Sequence, residues 1–162
     1  MTMTYTFIVD GMLGKLAKWL RILGYSTYYG KNDADEKLLE IASNAGAILL
    51  TRDRQLENRA RNVGLNAICM PEDVGECLKE LHRLGYISLK IDLNETRCPL
   101  CNTKLKHIAA SVAKNLAAPP YVVKRYNVVL YCPKCAKFYW PGSHYINMLN
   151  FLQRINRNQK LT

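Results

Sequence analysis

Four of the six cysteines form two short pairs, Cys98-Pro-Leu-Cys101 and Cys132-Pro-Lys-Cys135, separated by thirty residues. Each pair can present two thiolates from a tight turn to one tetrahedral ion. Thiolate softness favours zinc over magnesium or calcium. Four thiolates close the coordination sphere and leave no position for a reactive water, so the expected metal is structural. His107 and His144 become ligands only if a cysteine drops out. A redox Cys-x-x-Cys or an iron–sulfur cluster shares the spacing, and optical absorption separates these from zinc. Cys69 and Cys77 stand outside the pairs in apolar surroundings and read as small buried hydrophobes.

Three carboxylates have positions that suit a hard cation. Asp10 ends the apolar run 5–9, Asp53 lies just past the run 47–51, and Asp35 opens the helical pattern 35–44. If the two runs are parallel strands, Asp10 and Asp53 emerge at one sheet edge, and Asp35 can face the same crevice. Acids gathered there repel one another unless a divalent cation lies among them. Oxygen ligands with water in the remaining positions suit Mg²⁺ or Mn²⁺. Such an ion lowers the pKa of bound water and stabilises an in-line phosphoryl transition state. Each acid also has a plainer reading: Asp35 and Asp53 as helix N-caps, Asp10 before glycine as a turn residue.

The cations are unevenly opposed. Residues 1–95 hold twelve Lys and Arg against all thirteen carboxylates, whereas residues 96–162 hold eleven and no carboxylate, within a net charge of +10. An acid-free basic stretch suits a phosphate backbone. In that stretch Lys and Arg interleave with Tyr121, Tyr126, Tyr131, Tyr139 and Trp140, whose faces can stack unpaired bases. Nearer the proposed acidic site, Lys15, Arg21 and Arg52 are candidates to touch phosphate, Arg52 with bidentate geometry. A solvated face or a local ion pair is the plainer reading of each.

The elements that must position these groups follow from hydrophobic period. Leu13, Leu16, Leu20 and Leu23 recur at helical spacing, with Lys15 and Lys18 off that stripe and Gly24 as a stop. Strands are expected at 5–9, 26–29, 47–51 and 65–69, and further helices at 35–44, 53–62 and 72–84. Such alternation implies a parallel sheet covered on both faces, an α/β fold. Residues 85–96 read as a connection; beyond it come short Tyr/Val-rich strands at 121–131 and 138–140 and a basic helix at 144–157. We therefore expect two units, 1–90 and 96–162, the second small enough to need a metal staple. No run of about 18 apolar residues is present, so no membrane partner is expected. The N-terminus lacks the pattern of a signal peptide, which implies an intracellular, cytoplasmic protein.

The stretches FIVDGMLGKLAKWLRILGY, DEKLLEIA and AILLTRDRQL, followed by the paired cysteines and FYWPGSHY at 138–145, resemble the PIN-like ribonuclease domain of the Mut-seven C-terminal type. The resemblance covers nearly the whole chain, and the D-G-M-L-G-x-L-A-x-W-L-R block is its most specific part. It implies a three-layer PIN-like domain with a mostly parallel sheet, then a small zinc ribbon and a C-terminal helix. It also implies metal-dependent hydrolysis of RNA, with Asp10, Asp35 and Asp53 as the acidic site and Glu72 or Asp73 as a fourth acid. The rival expectation is a non-catalytic RNA- or ribosome-binding module whose acids serve as caps; a toxin-like nuclease held by an inhibitor partner is a further possibility.

Overall fold

The computed structural model describes residues 4–160. Its first layer system is a four-stranded parallel sheet: β1 (Phe7–Asp10), β2 (Thr27–Gly30), β3 (Ile48–Thr51) and β4 (Ala67–Cys69), in the spatial order β2-β1-β3-β4. The helices between them are α1 (Gly14–Ile22), α2 (Asp35–Ala45) and α3 (Arg54–Asn62), with α4 (Val74–Arg83) after β4.

Strand alternation divides the core. Ile8 and Leu49 face α2 and α3, where they meet Leu38, Ala42, Leu56 and Ala60. Phe7, Val9 and Leu50 face α1 and α4, where they meet Leu16, Leu20, Leu78 and Leu81. All of these side chains are fully or almost fully buried. The expected leucine stripe of α1 is thus its core face, and Lys15 and Lys18 lie exposed on the other side. The α/β architecture with a parallel sheet follows from this alternation of buried strands and one-sided helices.

A second, antiparallel sheet carries the cysteines: β5 (Lys106–Ala109), β6 (Val128–Cys132) and β7 (Lys137–Tyr139), in that order. Between β5 and β6 lie α5 (Ala110–Asn115) and α6 (Pro120–Arg125). Here the structure differs from the expected strand at 121–131. Tyr and Val favour strands, but Pro120 occupies the first helical turn, where a fixed φ and a missing N–H suit helix initiation. Val122 then buries itself against Ala113, Ala118 and Val129, so the strand begins only at Val128.

The final helix, α7 (Ser143–Lys160), packs on α4. Its Leu152 and Ile155 enter the core beside Leu16 and Leu78, and Phe151 stacks on Trp19 of α1 at 5.3 Å. Among the described residues, no helix is long and apolar enough to cross a membrane.

Candidate active site and metal centre

Asp10 closes β1 in an extended conformation that caps the short 3-10 turn Gly11–Leu13. Its Oδ1 accepts from the Gly11 amide at 2.7 Å, and its Oδ2 accepts from Thr51 Oγ1 at 2.8 Å. Thr51 ends the neighbouring strand, and its oxygen also accepts from the Asp53 amide at 3.0 Å. One buried hydroxyl therefore orients a carboxylate on one side and a backbone N–H on the other.

Glycine is required in this turn by space. A Cβ on Gly11 would lie 2.6 Å from the Lys31 carbonyl oxygen, and one on Gly14 would lie 2.9 Å from the Tyr29 hydroxyl. That hydroxyl donates to the Gly11 carbonyl at 2.7 Å, pinning the turn to β2.

Asp53 is the N-cap of α3, accepting from the Gln55 amide at 2.8 Å. Asp35 opens α2 and lies 3.5 Å from Arg59 of α3, which also contacts Glu36 at 3.0 Å. All three acids thus stand at the C-terminal edge of the parallel sheet, where loops leave the strands. They do not form a tight cluster. Among the described residues, the four cysteines are the only group of three or more His, Cys, Asp or Glu with ligand atoms within 4.8 Å of one another.

A cleft of about 780 Å³ opens between the glycine turn and the start of α4, and none of Asp10, Asp35 and Asp53 lines it. Lys15, Tyr29, Arg52, Glu72 and Asp73 line it. Arg52 lies 3.8 Å from Glu72, and Asp73 caps α4 through the Glu76 amide at 3.0 Å. Arg21 is placed elsewhere. It is buried, donating from Nε to the Thr27 carbonyl at 3.1 Å and from NH1 to the Pro99 carbonyl at 2.8 Å. Its guanidinium joins β2 to the first cysteine turn. The sequence assigns no role to Tyr29 or to Thr51, although Thr51 ends the apolar run AILLT and opens the T-R-D block of the resemblance.

The cysteines converge. Cys98 and Cys135 sulfurs are 4.0 Å apart, and those of Cys101 and Cys132 are 3.4 Å apart. A tetrahedral zinc with bonds of ~2.3 Å requires sulfur separations of about 3.8 Å. The four side chains fit a structural zinc. The residue after each second cysteine takes a left-handed backbone, Asn102 at φ 73° and Ala136 at φ 54°, which turns each pair back on itself. Burial works against charge on Cys101, but hydrogen bonding with Thr103, Cys132 and Cys135 outweighs it and brings the thiol down to about 6. Hydrogen bonding to Cys101, burial and neighbouring sulfurs push Cys135 up to about 12. Neither expected substitute ligand takes part: His107 Nε2 lies 3.0 Å from the Leu93 carbonyl, and His144 is exposed at the start of α7.

The cysteine turn is fastened to the parallel sheet. Buried Asn102 accepts the Thr27 amide through Oδ1 at 2.9 Å and donates from Nδ2 to Ser26 at 3.1 Å. The Arg97 amide donates to the Arg21 carbonyl at 2.9 Å.

The family model described as the Mut7-C RNAse domain matches residues 5–152. No curated protein and no solved structure matches the chain.

Proposed function

We propose that this chain, which belongs to the Mut7-C RNAse domain family, is a divalent-metal-dependent ribonuclease that hydrolyses RNA phosphodiesters. Family membership supports a ribonuclease-type function and RNA as substrate. The observation that carries the finer reading is the Asp10–Thr51–Asp53 arrangement at the sheet edge, in which Thr51 orients the Asp10 carboxylate and the Asp53 backbone, while the Gln55 amide holds the Asp53 carboxylate.

In this reading Asp10, Asp35 and Asp53 hold Mg²⁺ or Mn²⁺. When bound, the ion would activate water and neutralise charge on the phosphate. Thr51 keeps Asp10 aimed, and the Gln55 amide of α3 holds Asp53. Asp35 exchanges its Arg59 contact for the cation. Lys15 and Arg52, at the cleft, contact phosphate oxygens; Arg21 serves from beneath by positioning the cysteine turn. Glu72 and Asp73, lining the same cleft, are the sources of a fourth carboxylate. Residues 1–90, with their α1–α4 layer completed by Leu152 and Ile155 of α7, form the nuclease unit, and the basic stretch 96–162, stapled by zinc, orients the RNA. Four cysteines free of disulfides and grouped for a metal support a cytoplasmic setting.

A second reading has its own support. Asp53 caps a helix and Asp35 pairs with Arg59, and the trio is not gathered within ligand distance. A non-catalytic RNA- or ribosome-binding module would look the same. The deciding experiment incubates a mixed RNA pool with purified zinc-loaded protein, with Mn²⁺, with Mg²⁺ and with neither, beside Asp10→Asn. Cation-dependent cutting that disappears in the variant supports the nuclease. Salt-sensitive binding without cutting under any condition establishes the module.

A further inference from the structure

A second groove, of about 520 Å³, lies against the antiparallel sheet and takes no part in the acidic edge. Its walls include Tyr121, Tyr126, Phe138, Trp140 and Tyr145, and Arg125 stands among them. No carboxylate lines it. Tyr121 is 64% exposed, although it makes an edge-to-face contact with Trp140 at 5.9 Å. Arg125 lies 5.6 Å from the centroid of the Tyr126 ring.

The walls are held in place before any ligand arrives. A Cβ on Gly142 would come within 3.1 Å of the Trp140 indole, so the loop into α7 presses directly on that ring. The Gly142 amide donates to the Trp140 carbonyl at 2.8 Å. Ser143 and His144, at the mouth, offer groups that can hydrogen-bond the edge of a planar heterocycle.

Two properties choose the occupant. Aromatic walls favour a flat π system, and a groove that holds Arg125 and no carboxylate, within a stretch of eleven cations and no acid, favours a polyanion. An unpaired nucleic-acid strand offers both, whereas an apolar peptide offers only the first. We infer that this groove binds one or two unpaired nucleobases of single-stranded RNA by stacking, with Arg125 on a flanking phosphate. The choice of RNA rests on the ribonuclease reading.

The test is fluorescence anisotropy of short RNA oligomers on the full zinc-loaded chain, without added divalent cation, across a salt series. Comparison oligomers carry abasic positions at equal phosphate count. Tyr121→Ala should weaken binding of the parent RNA about tenfold without changing the salt slope. Tyr121→Phe should restore it, and abasic RNA should be indifferent to both changes. Arg125→Ala should reduce the salt slope by about one. Abasic RNA binding as tightly as its parent, or an unchanged affinity in Tyr121→Ala, overturns the inference and leaves the groove to an apolar peptide. The readout is separate from cleavage. A groove that passes in a chain that never cuts refutes only the nuclease, and unchanged binding in a chain that does cut refutes only the groove.

Discussion

Thr51 donates its hydroxyl to Asp10 Oδ2 at 2.8 Å, across the pair of parallel strands that the two residues end. The Thr51 hydroxyl oxygen in turn accepts from the Asp53 amide, and Thr51 is fully buried. Thr51→Val preserves the shape but removes both bonds. If Asp10 holds the catalytic cation, its half-saturating concentration should rise about 10- to 100-fold. Cation titration of the cleavage rate, with melting temperature as a control for folding, checks this. An unchanged titration would remove Thr51 from the site.

Arg21 supplies the donor for two carbonyls that lie 72 residues apart in sequence, Thr27 and Pro99. Removing the guanidinium leaves both oxygens short of a partner, at a cost of about 2–4 kcal/mol. Urea unfolding of Arg21→Ala should show that loss. Arg21→Lys should not recover it, because one ammonium cannot reproduce the planar fork. RNA affinity of the folded variant at matched salt should stay near that of the parent; a tenfold drop would return Arg21 to the phosphate-binding set.

Zinc binding should release protons. Burial raises Cys132, and contacts with Cys101 raise Cys135 to about 12, so both hold their protons at neutral pH in the metal-free chain. Both must lose them to become ligands. Zinc affinity should therefore rise with pH, with about two or more protons released per ion near pH 7. Calorimetry in buffers of different ionisation enthalpy counts them. Because Asn102 and Arg21 tie the first cysteine turn to β2, metal removal should also loosen the parallel sheet, visible as faster amide exchange at Thr27.

Cys77 should resist alkylation. Burial, reinforced by the negative charge of Asp73, pushes its thiol up to about 11 from an ordinary 9.0. The folded chain then holds a proton that the unfolded chain releases between those values. Stability from this group is therefore full below about pH 9 and declines as pH rises towards 11. Urea midpoints at pH 8 and pH 10.5, compared with Cys77→Ala, should show a steeper decline in the parent, because the other raised thiols and phenols decline in both. Mass-resolved labelling at pH 8 should modify Cys69 before Cys77; the reverse order would contradict the burial.

The parallel sheet was legible because β1 and β3 are apolar runs and the intervening helices each bury a single apolar face. The edge positions of Asp10, Asp35 and Asp53 followed from that pattern alone. Their separation did not, since it depends on side-chain partners such as Arg59 and Thr51 that no periodicity announces. The cysteine pairs were legible from spacing because metal geometry restricts which spacings work. β5 was not: Lys106–Ala109 shows little apolar alternation and owes its conformation to pairing with β6. Residues 121–125 misled through side-chain propensity, which the helix-initiating Pro120 and the burial of Val122 override.

The docking of α7 on α1 and α4 has a consequence for biosynthesis. A ribosome emits the strands of the parallel sheet first, yet Phe151, Leu152 and Ile155, which finish its α1–α4 layer, come after the second cysteine pair. Until they emerge, Trp19 and the apolar seam between α1 and α4 face solvent. The nascent chain therefore carries an unfinished α1–α4 layer until α7 has been made, long after the strands that layer covers.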